Sequence, residues 1–193
     1  MIRSLYDWTM SLAGHRRALP ALGLVSFLES SIFPIPPDAM LVPMVLADRD
    51  KAWMIAAVAT VASVVGGIAG YAIGYFLFEA VGRPIVDFYG YQDKVAAFTA
   101  AYNEWGLWII LIKGLTPIPY KLVTIASGVA KFDLGVFILA SIATRGARFF
   151  LLAALLWRFG PPIRGFIERN LTWLTTSFVV LVAGGFVAVR YLI

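Results

Sequence analysis

Long apolar runs separated by short charged segments dominate the chain, and they predict helices that enter a membrane. A helix needs about 20 mostly apolar residues to span a bilayer. Residues 52–78, 134–157 and 171–192 reach that length. The runs at residues 18–33 and 39–47 are shorter, so we expect these two segments to enter the membrane without crossing it.

Two proline clusters, at residues 33–38 and 116–121, interrupt this apolar sequence. Proline lacks a backbone N–H and breaks the interior of a helix. Inside a membrane, broken backbone survives only where it is buried in protein or lines a water-filled cavity. We therefore predict that the two clusters form the tips of re-entrant helical hairpins. The tip residues would be Pro34, Pro36, Pro37, Pro117 and Pro119.

The two clusters belong to an internal repeat. Residues 34–36 and 117–119 both read Pro-Ile-Pro, and the Gly-x-Pro-Ile stops at residues 82–85 and 160–163 follow in the same order. A hairpin returns to the side from which it entered, so each copy crosses the membrane once and the second copy is inverted. Inverted repeats whose broken helices meet near the midplane are the recurring plan of secondary transporters.

The predicted architecture is one all-α integral membrane domain over residues 1–193. It is an inverted repeat with two re-entrant helical hairpins, transmembrane helices and interfacial amphipathic helices. Its parts are an amphipathic N-terminal segment at 1–17, a first repeat at 18–104 with hairpin 18–47, a second repeat at 105–170 with hairpin 105–130, and a C-terminal transmembrane helix at 171–193. The polar stretch at 79–104 predicts a short connector and a helix on the membrane surface.

Composition and charge narrow the possible classes of function. Hydrophobic residues make up 61% of the chain and charged residues 14%, whereas about a quarter of the residues in a soluble domain are charged. The absence of cysteine and the single histidine, His15, exclude a thiolate or histidine-cluster metal site. We interpret the net charge of +5 as a signal of membrane orientation, with the N-terminus in the cytoplasm, and not of nucleic-acid binding.

Six charged side chains lie within apolar sequence, and they form the candidate transport and substrate-binding site. They are Glu29, Asp38, Lys113, Lys121, Arg145 and Arg148. Each would cost on the order of 3 kcal/mol near the bilayer centre, so we expect them to pair or to face water. Two acids against four bases leave an excess of positive charge, which the phosphate of an anionic head group would neutralise. The alternative is a purely structural role as buried ion pairs.

The spacing of these residues predicts which of them meet. Arg145 and Arg148 are three residues apart, so they share a helix face. Asp38 and Lys121 stand at the same distance after the two Pro-Ile-Pro segments. A pseudo-two-fold axis in the membrane plane would bring equivalent elements together near the midplane. We therefore predict an ion pair between Asp38 and Lys121.

Four segments of the chain are similar to those of a known membrane protein family. They are Phe27-Leu28-Glu29, the proline cluster at 33–38, the glycine-rich span at 66–75 and the run Lys113-Gly-Leu-Thr-Pro-Ile-Pro-Tyr-Lys121. Over roughly residues 18–160, the chain resembles the DedA family, also called SNARE-associated or VTT-domain membrane proteins, in its YqaA-like branch. The resemblance implies two facing re-entrant hairpins. It also implies lipid scrambling or flipping in the bacterial inner membrane, including recycling of the undecaprenyl phosphate carrier, often linked to the proton-motive force.

The resemblance further implies roles for the site residues. Family members carry two membrane acids, matched here by Glu29 and Asp38. They also carry two basic residues around the second hairpin, usually arginines, where Lys113 and Lys121 stand. Lysine is a point charge and cannot form the two-pronged hydrogen bond of arginine with phosphate. The two arginines within residues 134–157 would supply the guanidinium groups.

The leading hypothesis is a lipid transporter that carries phospholipid or polyprenyl phosphate, with no cofactor. The head group would cross between the hairpin tips, led by the four basic residues, while Glu29 or Asp38 takes up and releases a proton. One alternative is a small-ion or solute transporter that uses the same tips, and another is a non-transport membrane scaffold. An enzyme is the least favoured class, because the sequence contains no nucleophile–base set, metal cluster or phosphate loop.

Overall fold

The computed structural model describes residues 17–32, 36–113, 120–160 and 162, and the regular structure within them is helical. The helices are α1 (Ala18–Ser31), α2 (Asp38–Ala47), α3 (Ala52–Leu77), α4 (Arg83–Tyr89), α5 (Gln92–Lys113), α6 (Tyr120–Val129) and α7 (Leu134–Gly160). Residues 1–16 of the predicted N-terminal segment and the predicted helix at 171–193 lie outside the described residues.

Long apolar helices confirm the predicted membrane character of the chain. Within the described residues, three helical runs are long and apolar enough to cross a membrane, namely Arg49–Tyr89, Gln92–Ile112 and Leu134–Gly160. The predicted spans at 52–78 and 134–157 fall within two of these runs. The fold is therefore that of an all-α integral membrane protein.

The first predicted hairpin contains two short helices. α1 has 14 residues and α2 has 10, and both fall short of the length of a bilayer crossing. The chain enters α2 through Pro36 and Pro37, and Pro37 is the N-terminal cap residue. A proline at this place removes no helical hydrogen bond, since the first N–H groups of a helix have no partner within it. The predicted tip residues Pro34, Pro117 and Pro119 lie outside the described part of the chain.

α5 is one continuous helix, which differs from the segmentation expected from the sequence. The polar residues at 79–104 predict a connector and a surface helix there, and the apolar residues from 105 onward predict a new membrane limb. The structure runs a single helix through both halves. No proline interrupts residues 92–113, so the backbone hydrogen bonds continue, and the change in polarity along the helix does not end it.

Helix α3 is the central element, and both α1 and α6 pack against it. Its glycines Gly66, Gly70 and Gly74 are four residues apart, a pattern that predicts close approach of another helix. A β-carbon at Gly66 would lie 2.3 Å from the carbonyl oxygen of Phe27 in α1. One at Gly74 would lie 2.1 Å from the carbonyl oxygen of Ile125 in α6. The glycine face of α3 thus brings the two predicted hairpins within reach of each other.

Two buried apolar clusters lie toward opposite ends of α7. The first cluster joins α1, α2, α3 and α7, and its larger members are Leu22, Leu41, Met44, Val45, Ile55, Phe149 and Leu156. The second cluster joins α5, α6, α7 and the turn before α7, and its larger members are Tyr102, Ile110, Val123, Phe132 and Phe137. The polar side chains of the candidate site come from the helix segments between these clusters.

Polar contacts at the two ends of the helices fix their connections. At one end, the Arg49 guanidinium donates to the carbonyl of Trp157 in the last turn of α7, and Trp53 stacks on Phe150 with ring centroids 6.2 Å apart. At the other end, Lys131 donates to Glu79, in the π-helical turn Phe78–Gly82, at 2.5 Å. Charged and aromatic residues are typical of the two membrane surfaces.

The structure makes the predicted topology testable with single cysteines, since the natural chain has none. Asp48 precedes the helical run Arg49–Tyr89, and Asp93 follows it. We expect a cysteine at position 48 to react with an impermeant thiol reagent from the cytoplasmic side, and a cysteine at position 93 from the opposite side. Labelling of both positions from one side would contradict a membrane crossing by this run.

Candidate functional site

A layer of polar side chains lies between the two apolar clusters. Its members, which we call the polar layer, are Glu29, Ser30, Ser63, Tyr120, Thr124, Ser141 and Arg145. At 1.5 Å per residue, Arg145 lies about 16 Å from the start of α7 and about 22 Å from its end. The layer therefore lies near the middle of a helix that is long enough to span the membrane.

Glu29 and Arg145 form the central ion pair of the polar layer. An η-nitrogen of Arg145 donates to Oε2 of Glu29 at 2.6 Å, and Nε donates to the hydroxyl of Ser63 at 2.6 Å. Arg145 is only 5% exposed. A charge buried to this extent is stable only when it is paired and hydrogen-bonded, and these contacts meet both requirements.

Aromatic rings hold the same guanidinium from other directions. The Arg145 guanidinium carbon lies 4.9 Å from the ring centre of Tyr120 and 4.8 Å from that of Phe149. Both distances are within the range of favourable cation–π contact. The Tyr120 hydroxyl in turn donates to Ser141. These contacts fix the position of Arg145 between α1, α3, α6 and α7.

Ser30 links the ion pair to the neighbouring helices. Its hydroxyl donates to Glu29 at 3.2 Å and lies 2.6 Å from the hydroxyl of Ser63 on α3. Its backbone carbonyl accepts a hydrogen bond from Thr124 of α6 at 3.1 Å. One residue of α1 therefore connects the two predicted hairpins through buried hydrogen bonds, which strengthen one another in a medium of low dielectric constant.

Asp38 and Arg148 form a second, more accessible ion pair. An η-nitrogen of Arg148 donates to Oδ2 of Asp38, and the two side chains are 46% and 27% exposed. The other carboxylate oxygen, Oδ1, is buried and has no hydrogen-bond partner among the described residues. Arg148 follows Arg145 by one turn of α7, as the spacing predicts, but its surroundings are much more open.

An apolar groove adjoins this second pair. It has a volume of about 720 Å³ and lies between α2, the end of α5 and α7. We call it the lateral groove, and its lining residues are Asp38, Val42, Leu111, Ala143, Thr144, Ala147, Arg148, Leu151, Leu152 and Leu155. Because Leu151 and Leu155 are 63% and 45% exposed, the groove faces the outer surface of the helices.

Lys121 has a different partner from the one that the repeat predicts. Its ammonium group donates to the backbone carbonyl of Ile32 at 3.1 Å, so the predicted ion pair with Asp38 is wrong. Asp38 is the first residue of α2, which packs with α7, and this packing places its carboxylate against Arg148. Lys121 lies instead beside the end of α1, where helix carbonyls have no partner within the helix.

The structure thus brings four of the six candidate residues together as two ion pairs. Lys121 caps the end of α1, close to the polar layer. Lys113 ends α5, and its side chain lies outside the described part of the structure. Sequence reasoning missed the hydroxyl groups of Ser63, Tyr120 and Ser141, because single hydroxyl residues are common in apolar helices and only tertiary packing makes them partners of an ion pair.

Comparisons with known proteins place the chain in a family. The VTT domain matches residues 34–158, a segment that includes Asp38, Arg145 and Arg148. A Haemophilus influenzae protein described as uncharacterised is 36% identical over 178 residues, which cover 92% of each chain. A Histophilus somni protein, described as an uncharacterised homologue, is 36% identical over 178 residues, which cover 92% of this chain and 93% of its own.

No solved structure matches the chain. The domain match nevertheless covers more than half of the residues, and both relatives align with nearly the whole chain. The long apolar helices and their buried charges agree with this match. The chain therefore belongs to the VTT-domain family of membrane proteins, also known as the DedA family.

Proposed function

We propose that the protein is a lipid transporter of the DedA type, which moves phospholipid or polyprenyl phosphate across the bacterial inner membrane. The observation that carries the proposal is an accessible ion pair, Asp38–Arg148, which lies beside an apolar groove and halfway along a helix that is long and apolar enough to span a membrane. Charged residues within a membrane are costly, and most of them mark a path for substrate or ions. An apolar groove with a cationic residue suits a molecule that has an anionic head and an apolar chain.

The proposal includes an inverted repeat with two re-entrant hairpins, and the packing between the two halves of the chain supports this architecture. α2 of the first half packs with α7 of the second, and α6 of the second half packs against α3 of the first. Contacts of this kind, in which a hairpin helix of each half packs on a long helix of the other half, are expected when two inverted copies face each other. Broken backbone at the tips would then lie within protein, as the membrane requires.

The proposal includes proton coupling, in which one of the two acids takes up and releases a proton. Glu29 is held by Arg145 and Ser30 inside the polar layer, whereas Asp38 stands at the lateral groove. Asp38 is therefore the more accessible of the two acids, with its side chain 27% exposed against 15% for that of Glu29. Protonation of Asp38 would weaken its ion pair and free Arg148 for the head group.

Reconstituted liposomes test the function directly. We expect the purified protein to move labelled phospholipid or polyprenyl phosphate between leaflets, and Arg148→Gln to lower that flux at least about tenfold, because a hydrogen bond to a charged group is lost. Arg83→Gln is the matched control, since Arg83 is also an exposed arginine paired with an acid, but at a helix end. Equal flux with the natural protein and with Arg148→Gln would contradict the proposal.

One observation favours a scaffold as the second candidate. The Glu29–Arg145 pair is largely buried, with side chains 15% and 6% exposed, and both members are hydrogen-bonded, so the pair is suited to fix the fold. A scaffold would show no lipid flux above protein-free liposomes. A transporter of small solutes would instead release a trapped soluble anion while lipid flux stays at background.

A further inference from the structure

We infer that the lateral groove is a binding site for one anionic lipid, whose phosphate replaces the Asp38 carboxylate on Arg148 while its chain lies along the apolar wall of α7. This inference rests on the proposed function and makes it more specific. It assigns binding to one of the candidate cations, and it makes Asp38 an intramolecular competitor of the ligand.

Among the candidate cations of the site whose side chains are described, Arg148 is the most available to a ligand. Arg145 is 5% exposed and already contacts Glu29, Ser63 and two aromatic rings. Lys121 donates to a helix carbonyl. Arg148 is 46% exposed, lines the groove, and is bonded to a single oxygen of Asp38. A phosphate therefore has to displace only one carboxylate to reach it.

The geometry of the pair favours this exchange. The ion pair uses only Oδ2 of Asp38, and Oδ1 is buried without a hydrogen-bond partner among the described residues. A guanidinium can bind a phosphate through two parallel N–H···O bonds. The ligand can thus make a better contact with Arg148 than Asp38 does, while Asp38 keeps the arginine paired when the groove is empty of lipid.

The groove walls suit an apolar chain. From Arg148, the leucines at 151, 152 and 155 continue along α7, and Val42 of α2 faces the same space. Leu155 lies about 10 Å along the helix from Arg148, at 1.5 Å per residue. The volume of about 720 Å³ falls within the range of about 300–1,000 Å³ of small-molecule sites. A molecule with both a phosphate and a chain uses both parts of the site.

Binding of hexadecyl phosphate to the full-length protein in detergent tests the inference. We expect it to bind, whereas hexadecanol and inorganic phosphate at the same concentration do not displace it. Arg148→Gln should weaken binding by at least about tenfold, and Asp38→Asn should strengthen it by about tenfold, because the competing carboxylate is lost. Arg83→Gln, remote from the groove, should leave binding unchanged.

A groove-filling variant keeps the test valid if Asp38→Asn fails to fold. Ala147 lines the groove and is exposed, so Ala147→Phe should fold and should weaken binding with Arg148 intact. Unchanged binding in Ala147→Phe or in Arg148→Gln would overturn the inference, as would weaker binding in a folded Asp38→Asn variant. Displacement by inorganic phosphate alone would also overturn it, because the chain would then contribute nothing.

The binding measurement and the flux measurement distinguish a failure of this inference from a failure of the proposed function. If the variants change binding as expected but liposomes show no lipid flux, the proposed function is wrong and the groove is a lipid site of a non-transporting protein. If flux is present but hexadecyl phosphate binds equally to Arg148→Gln, the transport function stands and the ligand lies elsewhere.

Discussion

Glu29→Gln is expected to lower the free energy of unfolding by about 3–5 kcal/mol, which is the usual cost of leaving one member of a buried ion pair unpaired. Arg145 would lose its counter-ion while it remains 5% exposed, and the remaining hydroxyl and aromatic contacts do not neutralise its charge. Thermal unfolding of the purified protein in detergent would show the loss as a lower midpoint. Asp48→Asn is the matched control, since Asp48 is an exposed acid whose pKa is held below its ordinary value by a hydrogen bond from Lys51.

The double variant Glu29→Met with Arg145→Met extends this prediction. Removing both charges together leaves no unpaired ion, and apolar replacement of a buried pair is often neutral or stabilising. We expect the double variant to be more stable than either single variant. A scaffold would retain its function in this form, whereas a transporter that uses the pair would lose flux. A Glu29→Gln protein as stable as the natural one would contradict the burial of this pair.

A second large loss of stability is expected when the contact between α3 and α6 is disturbed. Gly74→Ala would place a β-carbon 2.1 Å from the Ile125 carbonyl oxygen, closer than any tolerated contact. The oxygen belongs to the backbone, so a side-chain rotation cannot relieve the clash and the two helices must separate. We expect a loss of about 1–3 kcal/mol in the free energy of unfolding, as for other overpacked sites.

Gly146→Ala is the matched control for this contact. Gly146 lies within α7, and an added β-carbon would be 3.7 Å from its nearest neighbour, a methyl group of Thr60. Alanine is favoured over glycine in a helix by up to about 1 kcal/mol, so this variant should be neutral or more stable. We therefore expect Gly74→Ala to lower the free energy of unfolding and Gly146→Ala to leave it unchanged or raise it. A stabilising Gly74→Ala would contradict the close contact between α3 and α6.

The sequence predicted the local features of this fold because they depend on short-range physics. Apolar runs of sufficient length became α3 and α7, since a lipid-exposed backbone must satisfy its hydrogen bonds within a helix. Helix α1 ends before the first proline cluster and α2 begins after its prolines, because consecutive prolines cannot continue a helix. The glycines of α3 predicted close approach, and buried contacts at Gly66 and Gly74 confirm it.

The sequence also identified the charged residues of the candidate site without identifying their partners. Any charge in apolar sequence needs compensation, and this requirement alone selects six residues, four of which form ion pairs in the structure: Glu29, Asp38, Lys113, Lys121, Arg145 and Arg148. The symmetry of the repeat suggested Lys121 as the partner of Asp38. Symmetry relates backbone positions, however, and it does not specify where long side chains point. The packing of α2 against α7 decided that Asp38 meets Arg148.

Only the tertiary structure separated the two ion pairs into a buried one and an accessible one. Arg145 and Arg148 are three residues apart and have the same side chain, so the sequence assigns them the same face and the same role. The surroundings differ because Tyr120, Phe149 and Ser63 enclose the first arginine, whereas the second lies at an open groove. The sequence by itself therefore determined which residues carry charge into the membrane. The packing of distant helices determined which of them a ligand can reach, because burial depends on neighbours that are far away along the chain.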